Sequence, residues 1–387
     1  MSYDVNPGET QRFEFRGNAR EWFGIWIVNL LLSIVTIGIY SAWAKVRRKK
    51  YFYNNTFVAD RNFDYHATGK QIFIGRVIFI VGYMIFSIAA NLNIVIGIVM
   101  TLALLVLIPW LIVKSMQFNA RVSSFSNVRF NFVGKTGRAF VAFVLLPLLA
   151  YIALGGLIGA AIYLAFETGE VVLPVLLGVA SLVVMFVAFP VVDRAVKMFV
   201  TNNARLGKAK FELKIDLAPF LKAMAGAMAW LIVVGGLFAV LFGATVVGIV
   251  QNLDSGTGEP GEEFVALIGV LYISFFIAIL PASFIYQAMV RNAVFSTVTL
   301  EGEHQFRSTI SPLRLFWIAF SNAVVAICTI GLMLPWTHVR MHRYMAEQTY
   351  FIPGSSLDDF LNDQEAQGMS VADAYTDMEG VDFGLPL

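Results

Sequence analysis

Six segments of the chain stay apolar for twenty residues or more: 71–90, 94–113, 139–166, 171–192, 223–250 and 264–287. About 20 such residues in a helix cross the roughly 30 Å hydrocarbon core of a bilayer. One such segment can be the centre of a soluble core, but six cannot all be covered by polar surface. The composition agrees, with 58% of the 387 residues hydrophobic and 14% charged, against about 45–50% and about 25% in globular proteins. Disorder, coiled coil, collagen and a disulfide scaffold are excluded, and a water-soluble α/β enzyme does not fit. Cys328 is the single cysteine, so neither an internal disulfide nor a cysteine-based metal site can form. The chain reads as an all-α polytopic membrane protein.

The connections alternate in charge. Seven Lys/Arg lie in 45–70, five in 114–138, seven in 193–222 and three in 289–314. The intervening 91–93, 167–170 and 251–263 hold none, and the last two carry acids such as Glu167, Glu170, Asp254 and Glu263. Positive charge stays on the cytoplasmic side, so the six spans form three in–out–in pairs in a cytoplasmic membrane. Ala42-Trp43-Ala44 mimics a signal-peptide cleavage site. A basic run, 45–50, follows at once, and the whole segment recurs near the C-terminus, where no signal peptide stands.

That recurrence is ungapped at an offset of 293. Segment 22–44 aligns with 315–336, setting Asn29 on Asn322, Thr36-Ile37-Gly38 on Thr329-Ile330-Gly331, Trp43 on Trp336, Arg47 on Arg340 and Tyr51 on Tyr344. Three other spans end at Pro109-Trp110, Pro190-Val191 and Pro281-Ala282 and lead into basic stretches holding Asn119, Asn202, Asn203, Arg291 and Asn292. Before each apolar part stands an alternating run that reads as a short strand: 12–16, 62–65, 129–132, 210–213 and 304–307. The chain thus divides into five units, about 12–61, 62–128, 129–209, 210–303 and 304–352, within one membrane domain over 1–352. Each is a strand, an apolar excursion and a basic interfacial helix on the cytoplasmic surface.

Parity then bears on the two terminal segments. If 22–44 crossed fully, six further crossings would leave Arg340 and Arg343 on the opposite side from their near-copies. Re-entrant hairpins turning near Thr36–Gly38 and Thr329–Gly331 remove the conflict, with both termini cytoplasmic; the alternative is eight full spans. Non-helical backbone at membrane depth is tolerated where protein or a cavity covers it. The segment 353–387 is acidic: from Glu347 onward there are nine acids and no Lys or Arg. It reads as a disordered, solvated tail, or as a docking segment for a basic partner or the protein's own basic face.

The Phe-x-Phe-x-Gly of 13–17, Asn29, the Thr-Ile-Gly-Ile-Tyr-x-x-Trp-Ala of 36–44, the basic segment ending Asn54-Asn55-Thr56, Phe63-Asp64-Tyr65 and Thr68-Gly69 resemble the YjgN family of bacterial inner-membrane proteins. The resemblance covers residues 10 to about 352 and is most specific in the first unit; the acidic tail lies outside it. It implies a multipass bacterial inner-membrane protein and transfers no activity, since the family is a domain of unknown function.

Residues with chemistry are few. Ionisable groups deep in a bilayer mark proton or ion pathways, and only Arg76 stands inside a span, near enough to its basic end to snorkel. His338 and His342, at i and i+4, have a metal-binding spacing, but they align with Lys45 and Lys49 and read as the headgroup-facing basic side. Lys45, Arg47, Arg48, Lys49 and Lys50 are candidate contacts for anionic lipid headgroups, each attracted by about 1 kcal/mol, or else a plain topological signal. The same membrane explains these charges without nucleic acid. Asn29 and Asn322 are either interhelical glue or, with Thr36, Gly38, Thr329 and Gly331, the lining of a path between two broken helices. No catalytic, cofactor or metal motif occurs, so an enzyme has no positive support. The leading expectation is a transporter or channel-like protein for a neutral or lipid-like solute. The rival is a membrane scaffold or envelope-organising protein that acts through its cytoplasmic layer and acidic tail.

Overall fold

A computed structural model describes residues 7–169, 171–254 and 262–366. The first alternating run forms β1 (Gln11–Arg12) and β2 (Glu14–Phe15), one strand interrupted at Phe13. A helical hairpin follows, α1 (Ala19–Val35) and α2 (Ser41–Asn54), and the chain returns as β3 (Thr56–Val58). The pattern then recurs: β4 (Arg61–Tyr65), α3 (Gly69–Leu92), α4 (Ile94–Arg121) and β5 (Ser123–Phe125); β6 (Val128–Phe132), α5 (Thr136–Phe140), a π-helical turn and α6 (Leu146–Thr168), α7 (Val172–Asn202) and β7 (Ala204–Leu206). Next come β8 (Ala209–Leu213), α8 (Ala218–Asp254), α9 (Glu262–Phe295) and β9 (Val298–Leu300), and finally β10 (His304–Ser308), α10 (Pro312–Cys328), α11 (Leu334–Glu347) and β11 (Thr349–Ile352).

All the strands belong to one antiparallel sheet in the order β1-β11-β10-β9-β8-β7-β6-β5-β4-β3-β2. Its two ends, β1 and β2, are separated in the chain by Phe13 alone, and the Phe13 N–H donates to the Thr349 carbonyl at 3.0 Å. The sheet therefore closes on itself as a barrel, which leaves no free edge. At one end, tight turns join the strands. Ala59-Asp60 and Ser126-Asn127 both have φ near +50 to +66° at their two central residues, the turn whose twist suits a two-residue hairpin. At the other end stand the five helical hairpins.

This corrects the all-α expectation. The five alternating runs are strands, but each hairpin's exit adds another, and together they make a continuous barrel. The basic stretches of the middle units are likewise not separate interfacial helices. They are the last turns of α4, α7 and α9, because Pro109, Pro190 and Pro281 sit inside those helices without ending them.

Among the described residues five helices are long and apolar enough to cross a membrane: Gly69–Leu92, Ile94–Arg121, Thr136–Thr168, Val172–Asn202 and Ala218–Gly243. Their apolar windows are only 6–11% buried, so these helices do not pack into a soluble bundle and their side chains are free to face lipid. The sixth expected span lies in α9, several of whose side chains fall outside the described residues. Both terminal apolar segments are helix–turn–helix, with Ile37 and Gly38 at φ +50° and +85° and Ile330 and Gly331 at +51° and +82°.

The remaining core lies where hairpins meet strands. Phe15 packs with Trp22 and Phe52, Tyr65 with Tyr53, Phe132 with Phe199, and Leu213 with Phe220. Gly134 is required by one such junction: a Cβ there would lie 2.4 Å from the Phe132 ring and 2.9 Å from that of Phe199. The tail departs from the disordered reading over one segment and follows the docking alternative there. Residues 357–366 are helical and dock on the turn end of the barrel, while 367–387 lie outside the described residues. The reason is two apolar side chains: Leu357 and Leu361 are 2% and 3% exposed against Val58, Val128, Leu206 and Leu300.

Candidate functional site

Side chains alternate across each strand, so residues two apart in an alternating run share a face. Arg12, Glu14 and Arg16, Arg129 and Asn131, and Gln305 and Arg307 point outward and are exposed. The inward position nearest the barrel's middle is phenylalanine in every unit: Phe13, Phe63, Phe130, Phe211 and Phe306. All five line a cavity of about 370 Å³ on the barrel's interior. Their rings follow one another around it, with centroids 6.1 Å apart for Phe13–Phe63, 6.4 Å for Phe63–Phe130 and 6.1 Å for Phe211–Phe306. Stacking at this range suits aromatic quadrupoles.

The floor of the cavity is the docked tail helix, through Leu357 and Phe360. That helix is held further by the Arg61–Asp358 ion pair and by Gln364, whose Oε1 accepts the Lys208 and Ala209 N–H groups at 2.8 and 3.1 Å. His304 is fully buried beside it. Its Nδ1 accepts the Gly354 N–H at 3.2 Å, and its ring meets Phe360 at 4.5 Å. Burial lowers its pKa below the ordinary histidine range.

Polar groups gather at the opposite, hairpin end. His342 packs edge-on against the stacked rings of Phe15 and Phe52, 4.7 and 4.9 Å away. Thr56 donates its hydroxyl hydrogen to the Phe52 carbonyl (2.7 Å), so the His342 Nε2 at 3.0 Å must be the donor to Thr56 Oγ1. Burial, with Arg48 adding to it, pushes the His342 pKa down to about 4, and the imidazole is neutral. This corrects the headgroup-facing reading of His338 and His342: both turn inward, and burial lowers His338 as well. No group of three or more metal-ligand side chains occurs among the described residues.

Arg291 completes that end. Its Nη2 donates to Thr349 Oγ1 at 2.9 Å, its guanidinium lies 4.2 Å over the Phe295 ring, and its buried Nε has no partner. Burial lowers its pKa. Arg291, Phe295 and Met345 also border a second cavity of about 690 Å³ among α7, α8, α9 and α10, lined higher up by Met185, Phe189 and Ile279. There the Tyr286 hydroxyl donates to Asp193 at 3.1 Å. The two spaces thus share a wall, and Arg291 stands in it.

The residues singled out from sequence are distributed as follows. Asn322 is buried and donates to the Thr337 carbonyl at 3.2 Å while accepting from Arg340 at 3.1 Å; it lines a cavity of about 530 Å³ with Arg48, Lys49, His338 and His342. Asn29 is buried with an unpartnered Oδ1. Thr36 and Thr329 build the hairpin turns, each donating to the carbonyl four residues back at 2.7 Å and accepting the N–H of Tyr40 or Met333. Gly38 and Gly331 supply the positive φ of the same turns. Lys45, Arg47 and Lys50 are exposed. Lys49 instead turns inward, donating to Asn119 at 2.8 Å over the Tyr65 ring, and burial lowers its pKa. Arg76 reaches across to Ser41 of the first hairpin. The phenylalanine ring and Arg291 were not assigned a site from sequence. The signal for the ring was present, since phenylalanine occupies the same place in all five runs.

The family described as bacterial protein of unknown function (DUF898) matches residues 10–378, so its pattern extends into the acidic tail. Inner membrane protein YjgN of Escherichia coli O157:H7 is 28% identical over 359 residues, covering 90% of this chain and 89% of its own. The protein of that name in Escherichia coli strain K12 is 27% identical with the same coverage, and that of Salmonella typhimurium strain LT2 is 25% identical over 343 residues, or 87% of each chain. No solved structure matches.

Proposed function

The chain belongs to the DUF898 family, together with the inner membrane proteins YjgN, and from that premise we propose that it is a transport-type protein of the bacterial inner membrane for a lipid-like solute. The observation that carries this reading is the axial cavity. Five phenylalanines make it apolar, a space among α7–α10 abuts it at the hairpin end, and the tail helix closes it at the other. Cavities of about 300–1,000 Å³ with apolar walls and a few convergent polar groups are the usual form of a small-molecule site.

Charge supports one arrangement in the membrane. The sheet-side ends of the hairpins carry the Lys/Arg clusters and the far ends carry none, which supports a cytoplasmic barrel with both termini inside. The first arms of the terminal hairpins, α1 and α10, have 17 residues each, about 25 Å at 1.5 Å per residue. That falls short of the roughly 30 Å core and supports re-entry over crossing. Their tips, Ile37 and Ile330, are apolar and 94% exposed.

The test is transfer of a fluorescent single-chain lipid between the leaflets of vesicles holding the full chain. Ala346 lines the cavity, so A346W should fill it and lower the rate to that of protein-free vesicles. Equal rates for wild type and a folded A346W would refute the reading.

A further inference from the structure

Arg291 faces the cavities without the partner that its chemistry requires. A guanidinium taken out of water needs a counter-charge or a full set of acceptors. Among the described residues it makes no ion pair, and its one side-chain acceptor is the Thr349 hydroxyl, 2.9 Å from Nη2. The Nε–H is buried and unbonded. The other ionisable groups nearby do not fill the gap: His342 is engaged with Thr56, and Asp193, across the second cavity, accepts from Tyr286. Beyond the guanidinium lies an almost wholly apolar wall, the phenylalanine ring with Leu300 and Phe351.

We propose that this cavity binds a single-chain amphiphile with an anionic head, the head paired with Arg291 and the chain lying against the five phenylalanines. The inference rests on the transport reading above and names its substrate class. One chain fits where two would not. The space of about 370 Å³ stands near the lower end of the about 300–1,000 Å³ of small-molecule sites. The planar fork of arginine suits a carboxylate or a phosphate, each able to take two N–H groups at once. Both chemistries are carried forward.

The experiment uses the full chain in phosphatidylcholine nanodiscs, which contain no anionic lipid. Dodecanoate, dodecyl phosphate and dodecanol, each spin-labelled at the chain end, are titrated, and the motionally restricted component is read by electron paramagnetic resonance. The two anions should give a saturable restricted component, and the tighter of them identifies the head. R291Q should weaken both anions about tenfold or more, as expected when a charge-assisted bond is lost, and leave dodecanol unchanged. R291K, which keeps the charge, should recover part of the loss, a rescue that a simple folding defect would not allow. If R291Q binds the anions as wild type does, the anionic-head inference is overturned. If that happens while A346W abolishes dodecanol binding, the apolar cavity stands and only the head assignment falls. If no probe is restricted by wild type, both readings fall.

Discussion

Leu361 gives the sharpest test of how the barrel is closed. It is 3% exposed within a cluster of Val58, Phe125, Val128, Leu206, Leu300 and Phe351, so Leu361→Ala removes most of a buried side chain. Such truncations cost about 2–5 kcal/mol. The helix of residues 357–366 follows the last strand, so the loss should fall on its undocking and leave the barrel folded. At about 1.4 kcal/mol per decade, even the lower figure raises the undocked fraction about 30-fold. The amide of Lys208 reports this event directly, because its N–H donates to Gln364 of that helix. Hydrogen exchange at Lys208 should accelerate by about the same factor, while amides of β6 and of β8 beyond Ala209, which also donates to Gln364, keep their wild-type protection. Unchanged exchange at Lys208 would sink the argument, and so would uniform acceleration through the strands, since the helix would then not be a separable closure.

Three other outcomes follow from single sites. His342 is held at a pKa of about 4 against the ordinary 6.5, so the folded protein binds fewer protons than the unfolded one between those values. Its contribution is complete above about pH 6.5 and lost as pH falls toward 4; from pH 7 to 5 the loss is about 2 kcal/mol. Thermal melts at those two pH values should show it, and H342F should flatten the difference without abolishing it, because His304 and His338 shift the same way. Gly134→Ala forces a methyl group against Phe132 and Phe199 and should cost about 1–3 kcal/mol, whereas Gly137→Ala, which meets open space, should stay within about 0.5 kcal/mol; equal melting temperatures would contradict the junction. In a Cys328→Ala background, impermeant-thiol labelling of intact cells should modify Asn91→Cys and spare Asp60→Cys at the barrel turn, and the reverse pattern would invert the orientation.

What the sequence made legible was whatever repeats over many residues. Twenty apolar residues in a row need no partner to be recognised, and the four alternating runs at β4, β6, β8 and β10 are long enough, at five residues each, to display a period of two. Their partner strands were not visible. Thr56–Val58, Ser123–Phe125, Ala204–Leu206 and Val298–Leu300 have three residues apiece and follow a helix after only one or two residues. Three residues carry no periodicity, and what makes them strands is pairing on both sides, with the next strand across a tight turn and with the preceding one on the far side of a whole helical hairpin. Closure of the barrel was hidden for the same reason, since it depends on β1 meeting β11 more than 300 residues away.

The site was hidden differently. Each phenylalanine of the ring has an ordinary local explanation as the buried face of a short strand, and its significance arises only when five such faces converge on one axis. Arg291 looked like one more member of a basic stretch, because charge counting records the sign of a group and not the solvent it has lost. The histidines show the converse. Alignment of His338 and His342 with lysines suggests a wet, cationic surface, yet the second hairpin arm turns both inward near Arg48, and His342 also against Phe15 and Phe52, where a proton is disfavoured. A position's place in a recurring pattern therefore predicted which element it occupies, while its protonation and its partners were fixed by which neighbouring hairpin it meets.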